Sequence, residues 1–233
     1  IYGVGGGITW DSTWESEYHE VHQKAAVLYR KQPRFQLITT GKISKKKLLF
    51  ENQHLERLQK ASRYFAFPFD QEVLRQKIEK ECQSCDLLED YRMRISLSKS
   101  GKIEFTRQVL TPLSSNFCQA KLCLQEADLQ HPFTYFKTTY RQHLTMGNQE
   151  IIYHTVDGKL LETSIGNLVL KMDGKLYTPP SQLALLPGIY RQHLLENGQV
   201  EEKALTIEDL AQAEAIYGCN AVRGLYELSV KEN

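Results

Sequence analysis

The chain has 233 residues, and its 29 Lys and Arg residues nearly balance its 28 Asp and Glu residues, for a formal net charge of +1. This balance argues against a protein that works by coating nucleic acid, because such proteins usually carry a strong basic excess. Hydrophobic residues make up 41% of the chain, which argues against intrinsic disorder. No apolar run approaches the roughly 18 residues that a membrane span needs.

The start of the chain and its cysteines bear on the compartment. No signal peptide is recognisable, and the cysteine count of 5 is odd, so we expect a cytoplasmic protein with reduced thiols. Because residue 1 is Ile and not Met, we expect the sequence to begin inside a longer gene product. Cys82 and Cys85 have CxxC spacing. No second pair follows at zinc-finger spacing, and we interpret them as ordinary thiols.

The first 33 residues form a segment of their own. Residues 3–9 are rich in glycine and predict a strand, and the acidic stretch that follows predicts a helix over about 13–30. Pro33 cannot continue a helix without losing a backbone hydrogen bond. We therefore place a boundary at residue 33.

The next part of the chain predicts strands and two helices. Apolar residues recur at three- and four-residue spacing over 53–65, which predicts a helix with Asn52 as its N-cap. Asp70 is the predicted N-cap of a second helix, over 71–84. Residues 91–98 alternate apolar and polar side chains, which is typical of a half-buried strand. Further predicted strands cover 35–43, 48–50 and 102–110.

The second half is richer in strands. Asp157-Gly158 and Asp173-Gly174 predict hairpin turns, because the Asp-Gly pair tolerates positive φ. Gly188 is predicted to open a helix, and Thr206 with Asp209 resembles a capping box for another. The chain is therefore predicted to be a mixed α/β protein. Its last predicted strands cover 215–219 and 225–230.

Lys137 is the first residue that could carry chemistry. It lies among aromatic residues in the stretch Phe136 to Arg141. A lysine removed from water has a lowered pKa and becomes a usable amine nucleophile for Schiff-base chemistry. Taken alone, the local sequence favours a surface lysine on a loop.

An anion site and a buried acid are the other two candidates. The stretch 186–191 enters a helix through Gly188, and the free first amides of a helix attract an anion. Arg57 could supply a charged fork for the same anion. Glu162 lies in an apolar stretch and would need a partner, such as a protonated ring nitrogen. The simpler interpretations are an ordinary helix start, a solvated arginine and a glutamate at the rim.

The order of these features along the chain resembles the class IV pyridoxal-phosphate enzymes. That family includes branched-chain and D-amino-acid aminotransferases and 4-amino-4-deoxychorismate lyase. The similarity covers about residues 35–230. The matching stretches are His54 to Leu58, Phe136 to Arg141, Glu162 to Asn167, Tyr177 to Pro180, Leu186 to Arg191 and Cys219 to Gly224.

The resemblance implies a fold, a cofactor and a set of site residues. The fold is α/β (α+β) and D-amino-acid aminotransferase-like, with a small α/β domain over 34–131 and a strand-rich cofactor-binding domain over 132–233, in a homodimer. Lys137 would hold pyridoxal 5'-phosphate and act as general base, with Glu162 at the ring nitrogen. The other implied cofactor residues are Arg57, Leu186, Gly188, Ile189, Tyr190, Asn220 and Ala221. The implied substrate residues are Thr40, Arg94, Arg141 and Arg223.

Residues 1–33 resemble a different family, the C-terminal end of chorismate-utilising synthases. In that family an acidic segment helps to hold Mg²⁺. Glu17 and Glu20 would be metal ligands only in a whole synthase domain, so we expect no metal site in this chain. The combination resembles a fused para-aminobenzoate synthase, which implies a synthase domain in the full-length protein and a glutamine amidotransferase component as partners.

The fusion implies the activity. A domain behind such a synthase is expected to consume its product, which makes it a lyase that converts 4-amino-4-deoxychorismate to 4-aminobenzoate and pyruvate in folate biosynthesis. The alternatives are a class IV aminotransferase acting on a D- or branched-chain amino acid, and a non-catalytic domain of the synthase. The family's usual Asn-Gly strand is missing, and residues 1–34 stand in its place. Either the lyase dispenses with that strand or this segment replaces it.

Overall fold

A computed structural model of the chain describes residues 3–29, 33–114, 118–125, 132–141, 144 and 149–230. The chain divides into two compact units, Ile1–Arg34 and Phe35–Asn233. No helix among the described residues is long and apolar enough to cross a membrane.

The first unit contains one helix. Helix α1 spans Trp14–Tyr29, and the hydroxyl of Thr13 accepts from the backbone N–H of Ser16 at 3.3 Å at its start. The strand predicted over 3–9 is wrong, because these residues are in no strand. A strand needs a partner for its backbone groups, and a run of glycines is costly to order.

The second unit begins with a four-stranded antiparallel sheet in the order β2-β1-β3-β4. One face of this sheet packs against two helices, and its buried core includes Leu37, Leu55, Leu58, Met93 and Ile95. The opposite face carries the alternate residues of each strand. The strands are β1 Leu37–Ser44, β2 Lys47–Leu48, β3 Tyr91–Leu97 and β4 Ile103–Val109, and the helices are α2 Glu51–Phe65 and α3 Gln71–Gln83.

The two helices begin differently. The Asp70 side chain accepts from the N–H groups of Glu72 and Val73, which confirms it as the N-cap of α3. The N-cap prediction for Asn52 is wrong, because Phe50 occupies that position with a left-handed backbone, φ 57° and ψ 34°. No side chain caps α2 there.

The rest of the second unit is an eight-stranded sheet in the order β10-β9-β8-β11-β12-β5-β6-β7. An additional pairing of β7 with β8 closes six of its strands into a barrel. The strands are β5 Gln119–Leu124, β6 Glu150–His154, β7 Leu160–Thr163, β8 Asn167–Met172, β9 Lys175–Thr178, β10 Glu201–Glu202, β11 Ala215–Asn220 and β12 Gly224–Val230. The α-helices are α4 Pro132–Tyr135, α5 Ile189–Glu196 and α6 Ile207–Gln212.

The turn chemistry predicted for this half is confirmed. Asp173 and Gly174 both have positive φ, at 50° and 72°, as a tight hairpin between β8 and β9 requires. Gly158 has φ 76° in the other predicted turn. Thr206 and Asp209 form a reciprocal capping box at the start of α6. Local signals of this kind act over two to four residues, so the sequence is enough to place them.

The cysteine pair lies at the end of α3. Cys82 and Cys85 are both buried and free. Burial raises the pKa of the Cys82 thiol to about 11, which disfavours the reactive thiolate. Among the described residues, no group of three or more His, Cys, Asp or Glu could hold a metal ion.

Candidate active site

Lys137 lies at the seam between the two sheets. It follows α4, and its carbonyl oxygen accepts from the N–H of Ile38 at 3.0 Å. The N–H of Thr139 donates to the carbonyl of Gln36 at 2.9 Å, and Leu37 forms a β-bridge with Thr138. The chain after α4 is therefore paired with the start of β1, and this pairing holds Lys137 next to the four-stranded sheet.

The surroundings of Lys137 favour a neutral amine. Burial holds the pKa of Lys137 well below its ordinary value, and the positive charges of Arg141, Arg57 and Arg94 lower it further. The negative charge of Glu162 acts in the opposite direction. A lower pKa makes the neutral form of the amine easier to reach, and the neutral amine can act as a nucleophile or as a general base.

Glu162 lies at the point where the barrel closes. It is on β7, opposite Asn167 of β8, and its side chain is 4% exposed. Its Oε2 accepts from the N–H of Leu186 at 3.3 Å. Burial raises the pKa of Glu162 to about 7, although Arg141, Lys137 and Arg57 and the Leu186 N–H all act to lower it. A further cation next to this carboxyl would therefore lower its pKa and ionise it at neutral pH.

Arg57 and the entry of α5 form a cationic end to the site. The Nη2 group of Arg57 donates to the carbonyl oxygen of Pro187 at 2.6 Å. Gly188 is the N-cap of α5 with an extended backbone, so the amides of the first helical turn, from Ile189 onward, have no partner within the helix. Burial lowers the pKa of Arg57 to about 10, and the guanidinium stays charged at pH 7. A charged fork beside a helix N-terminus is a site for an anion such as phosphate.

The turn between β11 and β12 forms another wall. The Oδ1 atom of Asn220 accepts from the N–H groups of Val222 and Arg223, both at 2.9 Å. These bonds fix the turn and leave Ala221 buried within it. Ala221 has no hydroxyl, so its side chain offers no hydrogen bond.

These elements meet around one cavity with about 390 Å³ of empty volume. It brings together most of the residues singled out from the sequence, together with a few that lie in the matching stretches but were not named individually as site residues. Those singled out are Thr40, Arg57, Lys137, Arg141, Glu162, Leu186, Gly188, Ile189, Asn220 and Ala221. The others are Ile165, Gly166, Asn167 and Cys219.

Three of the predicted residues lie elsewhere. Tyr190 does not line this cavity, and its ring packs against Phe50 with ring centroids 6.0 Å apart. The prediction for Tyr190 concerns its backbone amide in the first turn of α5, which the position of the ring does not test. Arg94 and Arg223 line a neighbouring cavity that is open to solvent and also reaches Lys137. Arg92, which the sequence analysis did not single out, lines that neighbouring cavity as well. Its signal was present, because Arg92 and Arg94 are two positions apart on one strand and share a face.

Two of the residues missed are explained by close packing. A Cβ atom at Gly166 would lie 2.5 Å from the carbonyl oxygen of Cys219. Glycine is therefore needed at this position for β11 to approach the turn between β7 and β8. Such a long-range contact leaves no local sequence signal.

Glu17 and Glu20 both have partners within the first unit. The carboxylate of Glu17 accepts from the hydroxyl of Ser12 at 2.6 Å, and Glu20 forms an ion pair with Lys24. A Cβ atom at Gly6 would lie 3.1 Å from Glu20 and 3.2 Å from Glu17. The glycine run thus lies close to the two carboxylates.

A family model described as amino-transferase class IV matches residues 36–229. Among solved structures, a putative amino-acid aminotransferase from Mesorhizobium loti is 26% identical, with a TM-score of 0.74, over 84% of this chain and 100% of that chain. A putative 4-amino-4-deoxychorismate lyase from Haemophilus somnus is 23% identical, with a TM-score of 0.64, over 83% of this chain and 100% of that one. A hypothetical aminotransferase from Mycobacterium tuberculosis, in a PLP-bound form, is 18% identical with a TM-score of 0.70, over 89% of this chain and 83% of that one.

A protein from Haemophilus influenzae that is described as uncharacterized is 38% identical over 69 residues. That match spans 30% of this chain and 36% of the relative's length. The family match is much broader, because it extends over both sheets of the second unit. The chain belongs to the class IV aminotransferase family and has its two-sheet, barrel-containing fold.

Proposed function

We propose that this chain is a pyridoxal-phosphate-dependent lyase that converts 4-amino-4-deoxychorismate to 4-aminobenzoate and pyruvate. The observation that carries the proposal is the placement of Lys137. Its amine reaches a cavity with Glu162 and an anion-binding end at Arg57, and also a second cavity lined by arginines. One lysine thus serves both a cofactor space and a substrate space.

The described residues fit pyridoxal phosphate. Lys137 is the amine that would hold the cofactor covalently, and Arg57 with the free amides at the start of α5 would bind its phosphate. Burial raises the pKa of Glu162 to about 7. Beside a protonated ring nitrogen this carboxyl would be ionised. Leu186 and Ile165 line the cavity and would pack against the ring. Asn220 holds the turn that closes the phosphate end.

The cofactor supplies an electron sink when it is bound. The chain's residues supply the proton transfer and the positioning. Lys137 would remove the proton from C4 of the substrate as general base. The C3–O bond would then break, which makes the ring aromatic and releases enolpyruvate, and enolpyruvate becomes pyruvate when its methylene carbon takes up a proton. Glu162 would keep a positive charge on the ring nitrogen of the bound cofactor. Thr40 lies on the wall that both cavities share.

The substrate cavity supports a ligand with two carboxylates. Arg94, Arg141 and Arg223 line it, and guanidinium groups bind carboxylates in a bidentate manner. A substrate with one carboxylate needs only one such group. The enzyme would consume the product of a synthase. We propose that the full-length protein contains a synthase domain, that a glutamine amidotransferase component is its partner, and that the lyase is a homodimer.

The proposed domains are a small α/β domain over 34–131 and a strand-rich domain over 132–233. Residues 1–33 would be the remnant of the synthase. The class IV family match begins after this segment, at residue 36.

An aminotransferase is the second candidate, and a specific observation favours it. The Mesorhizobium loti neighbour, at 26% identity, is described as a putative amino-acid aminotransferase. An aminotransferase would return an amino group to an oxo acid, whereas the lyase needs no second acceptor. Products therefore separate the two reactions.

The first experiment is a spectrum. The purified chain is mixed with pyridoxal phosphate, and the absorbance of its bound form is compared in the parent, in Lys137→Ala and in Lys60→Ala, where Lys60 is an exposed lysine on α2. The bound-form absorbance is expected in the parent and in Lys60→Ala and is lost in Lys137→Ala. A parent protein that binds no cofactor would support a non-catalytic domain.

The second experiment identifies the products. The loaded enzyme is incubated with 4-amino-4-deoxychorismate, and 4-aminobenzoate and pyruvate are measured. It is also incubated with D- or branched-chain amino acids and 2-oxoglutarate, and glutamate is measured. Aromatic product without glutamate supports the lyase, and glutamate without aromatic product overturns it in favour of the aminotransferase.

A further inference from the structure

The cavity beside Lys137 holds more cationic side chains than one carboxylate requires. Arg92, Arg94, Arg141 and Arg223 all line it, and none of the described residues on its wall is Asp or Glu. The inference below rests on the proposed function, because it treats this cavity as the substrate space.

Arg92 and Arg94 share the face of the four-stranded sheet that points away from its helices. Between and beside them, Met93 is 0% and Ile95 1% exposed on the core face. Arg92 pairs across the sheet with Lys42 and Gln108. Residues two apart on a strand are about 7 Å apart, so the two guanidinium groups can form two separate forks.

These two arginines have no anionic partner in the described part of the chain. Among the described residues, the side chain of neither arginine takes part in an ion pair or a hydrogen bond, although both are partly buried. Burial lowers the pKa of Arg92, and the positive charges of Arg94 and Arg223 lower it further. Cations that are crowded together without an anion destabilise one another, and a bound anion would relieve this cost.

The arginines lie at two depths relative to Lys137. Ile38, whose N–H donates to the carbonyl of Lys137, pairs with Ser96 of β3, so Arg94 is two positions and Arg92 four positions away along that strand. Arg141 lines the cavity of Lys137 and Glu162 as well, whereas Arg92 and Arg223 do not. Arg92 lies close enough to Arg94 and Arg223 for their positive charges to lower its pKa. Arg223 is held in place, because its Nη1 group donates to the carbonyl of Thr111. The cavity thus has an inner pair of cations near the amine and an outer pair farther from it.

We infer that Arg92, together with Arg223, forms a second carboxylate subsite that selects dicarboxylic substrates over monocarboxylic ones. The inner pair, Arg94 and Arg141, takes the carboxylate on the ring, which 4-aminobenzoate also carries, and the outer pair takes the carboxylate of the enolpyruvyl group. Arg92 is a specificity residue in this assignment, and Lys137 keeps the chemistry. A guanidinium group can donate two parallel hydrogen bonds to a carboxylate, and a lysine ammonium group does not match that geometry.

The test uses two probes that cannot undergo the elimination, and it is carried out on the cofactor-free protein. Chorismate carries two carboxylates and has a hydroxyl in place of the reacting amine, and 4-aminobenzoate carries one carboxylate. Their dissociation constants are measured by calorimetry on the parent, Arg92→Gln, Arg92→Lys and the control Lys42→Gln. Lys42 lies across from Arg92 on the same sheet face, but it pairs with Asp90 at 2.5 Å and is not among the residues that line the cavity.

The expected result is a change in the ratio of the two affinities. Arg92→Gln should weaken chorismate binding roughly 10- to 100-fold, as the loss of a charged hydrogen bond implies. It should leave 4-aminobenzoate within about twofold. Arg92→Lys should fall between parent and Arg92→Gln, and Lys42→Gln should match the parent. The inference is overturned if Arg92→Gln weakens both probes equally or behaves like Lys42→Gln.

The same preparations separate this inference from the proposed function. If the parent protein binds no pyridoxal phosphate or forms no 4-aminobenzoate, the proposed function fails, while the ratio of probe affinities still tests Arg92. If Arg92→Gln shows no cooperative thermal unfolding, the ratio of chorismate affinity to 4-aminobenzoate affinity in Arg92→Lys tests the inference instead. An unchanged ratio in Arg92→Lys then overturns the second subsite.

Discussion

Asn167 and Gly188 touch across the candidate site so closely that a Cβ atom at position 188 would lie 1.9 Å from Oδ1 of Asn167. The Nδ2 group of the same amide donates to the carbonyl of Leu186 at 2.9 Å. Asn167 therefore holds the segment that leads into α5, and only glycine leaves room for it. The start of α5 and the β7–β8 closure of the barrel are coupled through this contact.

Replacement of Gly188 by Ala should weaken cofactor binding. The methyl group must displace the amide or the entry of α5, and overpacking of this kind typically costs about 1–3 kcal/mol. We expect the dissociation constant of pyridoxal phosphate to rise roughly 10- to 100-fold, as measured by absorbance titration. In a double-mutant cycle, Gly188→Ala should cost less when Asn167 is already Ala, because the clash is then absent. Additive effects would contradict this steric account.

Arg57→Lys should keep the positive charge but lose the planar, bidentate donor geometry of the guanidinium group. The guanidinium donates to the carbonyl of Pro187 at 2.6 Å and still has donors for an anion, whereas an ammonium is a point charge on a flexible stem. We expect a loss of about tenfold in cofactor affinity for Arg57→Lys and a larger loss for Arg57→Gln. Equal affinities in Arg57→Gln and the parent would exclude Arg57 from the phosphate end. Arg63→Gln, on the same helix, serves as the control.

Glu162→Gln should change how stability depends on pH in the cofactor-free protein. Burial raises the pKa of Glu162 from 4.5 to about 7, so between these values the folded state binds more protons than the unfolded state. This group therefore stabilises the folded state less as pH rises, by about 2 kcal/mol between pH 5 and pH 7. The free energy of unfolding is measured in urea at several pH values. The decline with rising pH should be absent in Glu162→Gln and present in Glu56→Gln, which replaces an exposed glutamate.

His54→Gln should have the opposite effect. The pKa of His54 is lowered from 6.5 to about 3, first by burial and then by the charges of Arg57 and Lys137. Below pH 6.5 the unfolded state therefore binds more protons, and this group costs about 2 kcal/mol of stability between pH 7 and pH 5. In His54→Gln the free energy of unfolding should fall less on acidification. The exposed His19→Gln variant should follow the parent, and a His54→Gln curve parallel to the parent would refute the assignment.

His54 also illustrates what local sequence can hide. Its Nδ1 atom shares a hydrogen bond with the hydroxyl of Thr39 at 2.6 Å, and its buried Nε2 atom has no hydrogen-bond partner among the described residues. A Cβ atom at Gly41 would lie 2.5 Å from that nitrogen. The sequence places His54 on the buried face of a helix, but the fit against β1 depends on packing between elements that only the fold brings together.

Local patterns predicted much of the fold. The capping box at Thr206, the N-cap at Asp70 and the hairpin turns at Gly158 and Gly174 depend on bonds within a few residues, so the sequence was sufficient. The strand over 3–9 was wrong, because glycine-rich alternation says nothing about whether a partner strand exists. The N-cap at Asn52 was wrong, because Phe50 adopts a left-handed backbone that its residue type does not favour.

The sequence by itself determined the chemical types of the candidate site: an amine at Lys137, a carboxyl at Glu162, a guanidinium at Arg57 and a glycine at a helix entry. Only the tertiary structure decided that they share one cavity. The pairing of Gln36 with Thr139 sets Lys137 at the seam, and the pairing of Glu162 with Asn167 closes the barrel. The shifted pKa values follow from the same assembly, because burial and neighbouring charges arise only when distant segments pack together.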